Sequence, residues 1–207
     1  MPLILETIVT TLSPEGALHL VPFGLIAEGD DTVLAPFRPS PTILNLDADP
    51  HFCASSPRDV RVIAGAVTGR REWPTVACDR IRGRRLADSF GHAEFEVTSV
   101  EADATRPRYR GRLVHAAAHA PFIGYNRAQA AVLEAAILST RLHMLAPDKV
   151  MAEMRYLAIA ISKTAGPRER EAWDWIEDKV AAHLGTEDRI LADTDAARDG
   201  EASGVTC

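Results

Sequence analysis

Arg38, Ser40 and Thr42 stand at alternate positions in Pro36-Phe37-Arg38-Pro39-Ser40-Pro41-Thr42-Ile43-Leu44-Asn45. The prolines fix φ near the extended value and remove backbone donors, so the segment is stiff and is no central strand. Residues two apart on an extended chain share a face, which gathers a guanidinium and two hydroxyls on one side. Thr42 has the side chain of an N-cap, and Ile43, Leu44 and Leu46 are the apolar residues of a short helix. A helix N-terminus with free N–H groups beside such a trio suits a phosphate. The same residues also fit a Pro-rich loop that does no more than cap a helix.

Other chemistry is thinner. His115 and His119, in His-Ala-Ala-Ala-His, share a face on a helix or a strand, but no carboxylate or third ligand lies near them in sequence. The expectation is therefore that no metal is held. Glycine-rich nucleotide loops, a zinc-protease motif and a nucleophile elbow are all missing. Cys78, beside Asp79, reads as structural. His19 precedes Pro22 and Gly24 in a strand-like run, and a Pro and a Gly there mark a bulge, an edge or a close approach by a ligand. The arginines at 70, 71, 80, 82, 84 and 85 read as a solvated loop.

The elements that must position these residues follow from periodicity and turn chemistry. Leu3 to Thr11 and Ala17 to Ile26 are strands joined by the turn Ser13-Pro14-Glu15-Gly16. Short strands follow at Thr32 to Ala35, Phe52 to Ser55, Phe90 to Ala102 and Tyr109 to His115. Val60 to Val67 is apolar without a decisive period and fits strand or helix. Some seven strands with hairpin connections indicate an antiparallel barrel or sandwich. The character changes at Pro121. Asn126 is a candidate N-cap for a helix over Ala130 to Leu145, and Pro147 opens a second with the stripe Val150, Met154, Leu157 and Ile161. A third runs from Arg168 to Leu184. The fold class is α+β, mainly β, with a barrel over 1–120, a helical unit packed on it over 121–185 and a disordered tail over 186–207.

Composition bounds the rest. The chain has 207 residues, 46% of them hydrophobic and 25% charged, which supports one ordinary core. A net charge of -6 argues against a general nucleic-acid binder or a membrane-surface protein. Three cysteines without CxxC spacing, and no leader or membrane-length apolar run, suggest a cytoplasmic protein in a reducing compartment.

The ordered set Glu6-Thr7-Ile8-Val9-Thr10-Thr11, Gly16, His19, Pro22-Phe23-Gly24, Arg38-Pro39-Ser40-Pro41-Thr42 and Asn45-Leu46 resembles the FMN-binding split-barrel proteins of the flavin-reductase type. It is most similar to a branch of unknown function found in archaea and one-carbon-utilising bacteria. Gly124-Tyr125-Asn126-Arg127-Ala128 and Leu133-Glu134-Ala135 match that branch's helical part. The resemblance implies a split β-barrel with an appended C-terminal helical unit. It also implies a homodimer with FMN at the subunit interface. Carried over by position, Arg38, Ser40 and Thr42 bind the FMN phosphate, and Asn45 anchors the helix or the ribityl chain. His19 and the Pro22-Phe23-Gly24 backbone then lie near the ring. Where the branch reads Phe-Val-Val-Asn this chain has Phe52-Cys53-Ala54-Ser55, so Ser55 offers the shorter arm. The implied function is an FMN-dependent oxidoreductase with a nicotinamide donor or a small-molecule substrate, in a setting of pterin-linked one-carbon metabolism. The alternative is a non-catalytic flavin-binding or cofactor-handling module.

Overall fold

The computed structural model describes residues 2–185 and residue 190. The tail expected to be disordered falls almost wholly outside the described residues. The chain divides into two compact units, one of residues 1–59 and 71–122, the other of residues 60–70 and 123–207.

The first unit is a closed antiparallel barrel. Its strands are β1 (Leu3–Leu12), β2 (Leu18–Glu28), β3 (Asp31–Leu34), β4 (His51–Pro57), β7 (Ser89–Glu101) and β8 (Arg108–Ala118), and a separate two-stranded sheet pairs β5 (Thr75–Ala77) with β6 (Arg84–Leu86). Around the barrel the order is β1-β2-β3-β8-β7-β4, with β4 pairing back onto β1. The barrel alternative is therefore the one the chain takes, and closure removes the sheet edges that a sandwich would expose.

The turn residues explain the first hairpin. Gly16 sits at φ 90, a left-handed value that glycine reaches without a Cβ penalty. Pro22 and Gly24 do not break β2, whose register with β1 runs without a shift from Leu18 to Ala27. Beyond β1, β2 pairs only through Ile26–Glu28 with β3, so Pro22 has no third strand to pair with on its other side. At Gly24 a Cβ would stand 2.7 Å from Ile4 Cγ2. Its small size is thus explained by a neighbouring strand's side chain.

The core joins Val9, Leu25, Leu34, Phe52, Ala54, Phe95 and Tyr109 of the strands to Ile43 and Leu46 of α1 (Pro41–Ala48). Helix α1 therefore plugs one end of the barrel. Phe52 and Phe95 stack at 4.8 Å between ring centroids. Arg84 and Arg85 belong to β6, and Arg84 donates to Thr75 on β5, so part of the expected solvated loop is a structured hairpin.

The second unit contains α2 (Arg61–Val67), α3 (Arg127–Ser139), α4 (Pro147–Thr164) and α5 (Pro167–Leu184). The segment 60–67 resolves to helix, with Val62, Ile63, Ala64, Gly65 and Ala66 buried. Asn126 caps α3 by accepting from Ala128 and Gln129. That helix stops at Ser139, short of Leu145, and a single 3-10 turn covers Leu142–Met144. On α4 the buried positions are Val150, Met154, Ala158, Ala160 and Ile161. Trp173, Ile176 and Val180 are buried large apolar side chains of α5.

Candidate functional site

Three places in the barrel unit could do chemistry. The first is the N-terminus of α1. Ser40 is the N-cap and Pro41 takes the first helical position, which corrects the reading of Thr42 as cap. The physical reason is that proline has no N–H to lose at the first helical position and its φ is already helical. The Ser40 side chain accepts from Thr42 N at 3.2 Å, and its carbonyl accepts from Ile43 N and Leu44 N. The helix N–H groups expected to be free are therefore already spent.

What is unspent is on the side chains. The Ser40 hydroxyl, having accepted one N–H, still has a proton to donate. Thr42 is fully buried, and its Oγ1 has no hydrogen-bond partner among the described residues. Leaving such a group unsatisfied costs roughly 1–3 kcal/mol. The exposed Arg38 guanidinium makes no hydrogen bond or ion pair among the described residues, and acts on Asp103 and Tyr109 only through its field.

Asn45 and His19 belong to the same end of the barrel. Asn45 Nδ2 donates to Thr11 Oγ1 at 2.9 Å, and Thr11 stands opposite His19 in the β1–β2 register. Burial, with the charge of Arg71, holds His19 below the ordinary histidine range, so its ring is neutral at pH 7. Phe23 packs against the core cluster that includes Ile43 and Leu46 of α1. Pro22, Ile8 and Ser55 form one row across β2, β1 and β4, continued by His92 on β7 and Ala117 on β8. Ser55 is fully buried there, and its hydroxyl accepts from Leu86 N at 3.2 Å.

The second place is the open end of the barrel interior. It forms a cavity of about 550 Å³, walled chiefly by alanines of β7 and β8 together with Leu5, Leu25, Phe90 and Phe122. Thr7, Thr32 and Ser56 supply hydroxyls. None of the nine residues picked out from the sequence lines it. The connection is indirect: Thr7 lies opposite Phe23 and donates to its carbonyl at 3.2 Å.

Of the third place the sequence marks only His115 and His119; Asp79, His92 and Glu94 are added by the fold. Ala93 and Phe95 point into the barrel, so His92 and Glu94 point outward. Glu94 is opposite His115 on β8 because the register shifts just beyond it, where Phe95 pairs with Leu113 and Val114 is left over. A bulge of this kind re-aims the side chain beside it. The segment after β5 closes over this face, and Glu94 accepts the N–H groups of Asp79, Arg80 and Ile81 at 2.6, 2.8 and 2.9 Å. Burial works to raise the Glu94 pKa, but these three donors and His92 outweigh it and hold the carboxyl below its usual range. His92 Nε2 lies 2.9 Å from Glu94 Oε1 and 3.3 Å from Asp79 Oδ2, while His115 Nε2 is 3.4 Å from the same Asp79 oxygen. His92 Nδ1 meets His119 Nε2 at 2.8 Å. The carboxylates that no neighbour in sequence supplied to His115 and His119 thus come from β7 and its covering loop. Cys78 stays structural in character: a hydrogen bond to Cys53, burial and the nearby carboxylates push its thiol pKa up.

Comparison with known proteins adds the family. The model for the N-terminal domain of a protein of unknown function (DUF447) matches residues 5–120, and the model for its C-terminal part matches residues 126–178. The chain belongs to the DUF447 family. A crystal structure of an FMN-bound DUF447 protein from Methanosarcina mazei is 19% identical, with a TM-score of 0.72, covering 86% of this chain and 96% of that one. The DUF447 chain described here therefore shares that protein's fold. A flavoredoxin from Methanosarcina acetivorans is 11% identical at a TM-score of 0.49, covering 60% and 72% of the two chains. A 2-nitrobenzoate 2-nitroreductase from Pseudomonas fluorescens is 17% identical at 0.48, covering 57% and 66%. No curated protein matches the chain. Among the described residues, no helix is long and apolar enough to cross a membrane.

Proposed function

We propose that this DUF447 chain is an FMN-binding flavoprotein that works as an oxidoreductase. The observation that carries the reading is the buried, unpartnered Thr42 Oγ1 at the N-terminus of α1, beside the unspent donors of Ser40 and Arg38. A phosphate monoester supplies the acceptors these three side chains lack. Charge-assisted bonds from a guanidinium to phosphate are the strong kind. Arg38 and Ser40 have open surface and meet the phosphate first; Thr42 is buried. The FMN carried by the Methanosarcina mazei family member supports the choice of ligand.

Bound FMN would supply redox chemistry that no protein side chain offers. The chain's own contribution is binding and orientation. Asn45 fixes α1 to β1 through Thr11, so the phosphate donors are held before the ligand arrives. The neutral His19 can hydrogen-bond without adding charge near the ring. Phe37 and Leu44 flank the cradle with 61% and 71% of their surface exposed, which a second copy of the chain would cover in a homodimer with FMN at the interface. We assign the small-molecule substrate to the barrel-mouth cavity, whose volume suits a ligand of ordinary size. Its wall includes Thr7, hydrogen-bonded to the Phe23 carbonyl of the strand assigned to the ring. A reducing cytoplasm, in which Cys53 and Cys78 remain thiols, fits this role.

The test is the absorption spectrum of the purified protein, before and after anaerobic addition of NADH or NADPH, followed by a screen of oxidised pterins and dihydropterins as electron acceptors. A yellow protein that bleaches supports the oxidoreductase. A yellow protein that no nicotinamide reduces makes it a flavin-handling module. A colourless protein that takes up no FMN ends the reading.

A further inference from the structure

We propose that Asp79, His92, His115 and Glu94 hold one divalent first-row cation, with Zn²⁺ the best match, on the outer face of the barrel. Asp79 Oδ2, His92 Nε2, His115 Nε2 and Glu94 Oε1 all lie within 4.8 Å of one another. Ligands around a tetrahedral zinc at about 2.1 Å stand roughly 3.4 Å apart. Three of the separations are 2.9, 3.3 and 3.4 Å, close to that edge length. The remaining gaps can close by rotation of Asp79 and His115, the two ligands with exposed surface.

Charge and donor chemistry agree. Two carboxylates and two neutral imidazoles carry a formal charge that a divalent cation cancels. Mixed imidazole and carboxylate ligands suit zinc and its neighbours, and suit calcium poorly. The surroundings are those of a supported ligand set. A metal-bound histidine usually gives its other ring N–H to an acceptor, and His92 Nδ1 has His119 Nε2 at 2.8 Å for that purpose. Glu94 is held in place by the N–H groups of Arg80 and Ile81 on its second oxygen. The half-exposed Asp79 leaves the ion a way in.

Without a metal, the same atoms can hydrogen-bond as a chain from Glu94 through His92 to His119. The experiment separates the two. Protein stripped with a chelator and dialysed is titrated with Zn²⁺ alone by calorimetry. The expected result is one Zn²⁺ per chain, with affinity at least tenfold weaker in His115→Ala and in Asp79→Asn. Both residues have exposed surface, so these variants spare the barrel core. His143→Ala, an exposed histidine in the helical unit, should bind zinc as the wild type does. FMN uptake by His115→Ala should equal that of the wild type, which keeps this outcome apart from the flavin reading. If the wild type takes up no stoichiometric Zn²⁺, or if both variants bind it unchanged, the cluster is a hydrogen-bonded network and the proposal is overturned.

Discussion

Tyr109 Oη donates to Asp47 Oδ1 at 2.9 Å, tying β8 to the last turns of α1. Burial first, and the Asp47 carboxylate second, push the Tyr109 pKa up from 10.0 to about 12. The neutral phenol is the form the fold prefers. Its stabilising contribution is fully present below the unfolded pKa and is lost as pH rises through the folded one. Between pH 10 and 12 the wild type should lose on the order of 2–3 kcal/mol of stability through this group. Tyr109→Phe should remove that part of the loss and cost about 1 kcal/mol at neutral pH. Urea denaturation midpoints measured across the alkaline range check both statements.

Glu94 holds the loop between β5 and β6 against the barrel by accepting three successive N–H groups. Glu94→Gln keeps the shape but sets an NH₂ against donors. The expected cost is roughly 2–4 kcal/mol, since a hydrogen bond to a charged group is lost while buried donors go unpaired. With a chelator present, so that metal plays no part, thermal melting should show this loss. Faster amide exchange at Asp79, Arg80 and Ile81 should accompany it. An unchanged melt would mean that the loop is held by other contacts.

The barrel-mouth cavity is walled in part by alanines, with Ala116 among them. Ala116→Phe should fill it with little loss of stability, because open volume is available for the ring. If the cavity receives the substrate, turnover falls by tenfold or more while FMN content is unchanged. Steady-state rates and bound-flavin absorbance on one preparation read the two effects separately. Unaltered turnover would move the substrate elsewhere.

Much of the barrel is legible from local chemistry. The first hairpin follows from β-branched residues on either side of Pro14 and Gly16, and α3 from Asn126 as a cap. Where periodicity is weak, reading fails: 60–67 is apolar apart from Arg61, and only packing decides that it is helix. At the start of α1 Thr42 has a cap's side chain, but Pro41 takes the first helical position and the cap falls to Ser40. The His and carboxylate cluster is hidden for a different reason. Glu94 faces His115 only because Val114 is left over in the β7–β8 ladder, and a one-residue shift of that kind has no signature in composition. The local hints are two: His92 and Glu94, two apart on a strand, and the pair His115 and His119.

The central claim is that Arg38, with Ser40 and Thr42, holds the FMN phosphate. Its most direct test is titration of flavin-free protein with FMN, following quenching of flavin fluorescence, for the wild type and Arg38→Ala. Loss of a charge-assisted hydrogen bond should weaken binding by about 1.5–3 kcal/mol, or roughly ten- to 150-fold in Kd. Riboflavin, which lacks the phosphate, should bind both proteins alike. Equal FMN affinity in wild type and variant would contradict the account and remove Arg38 from the site.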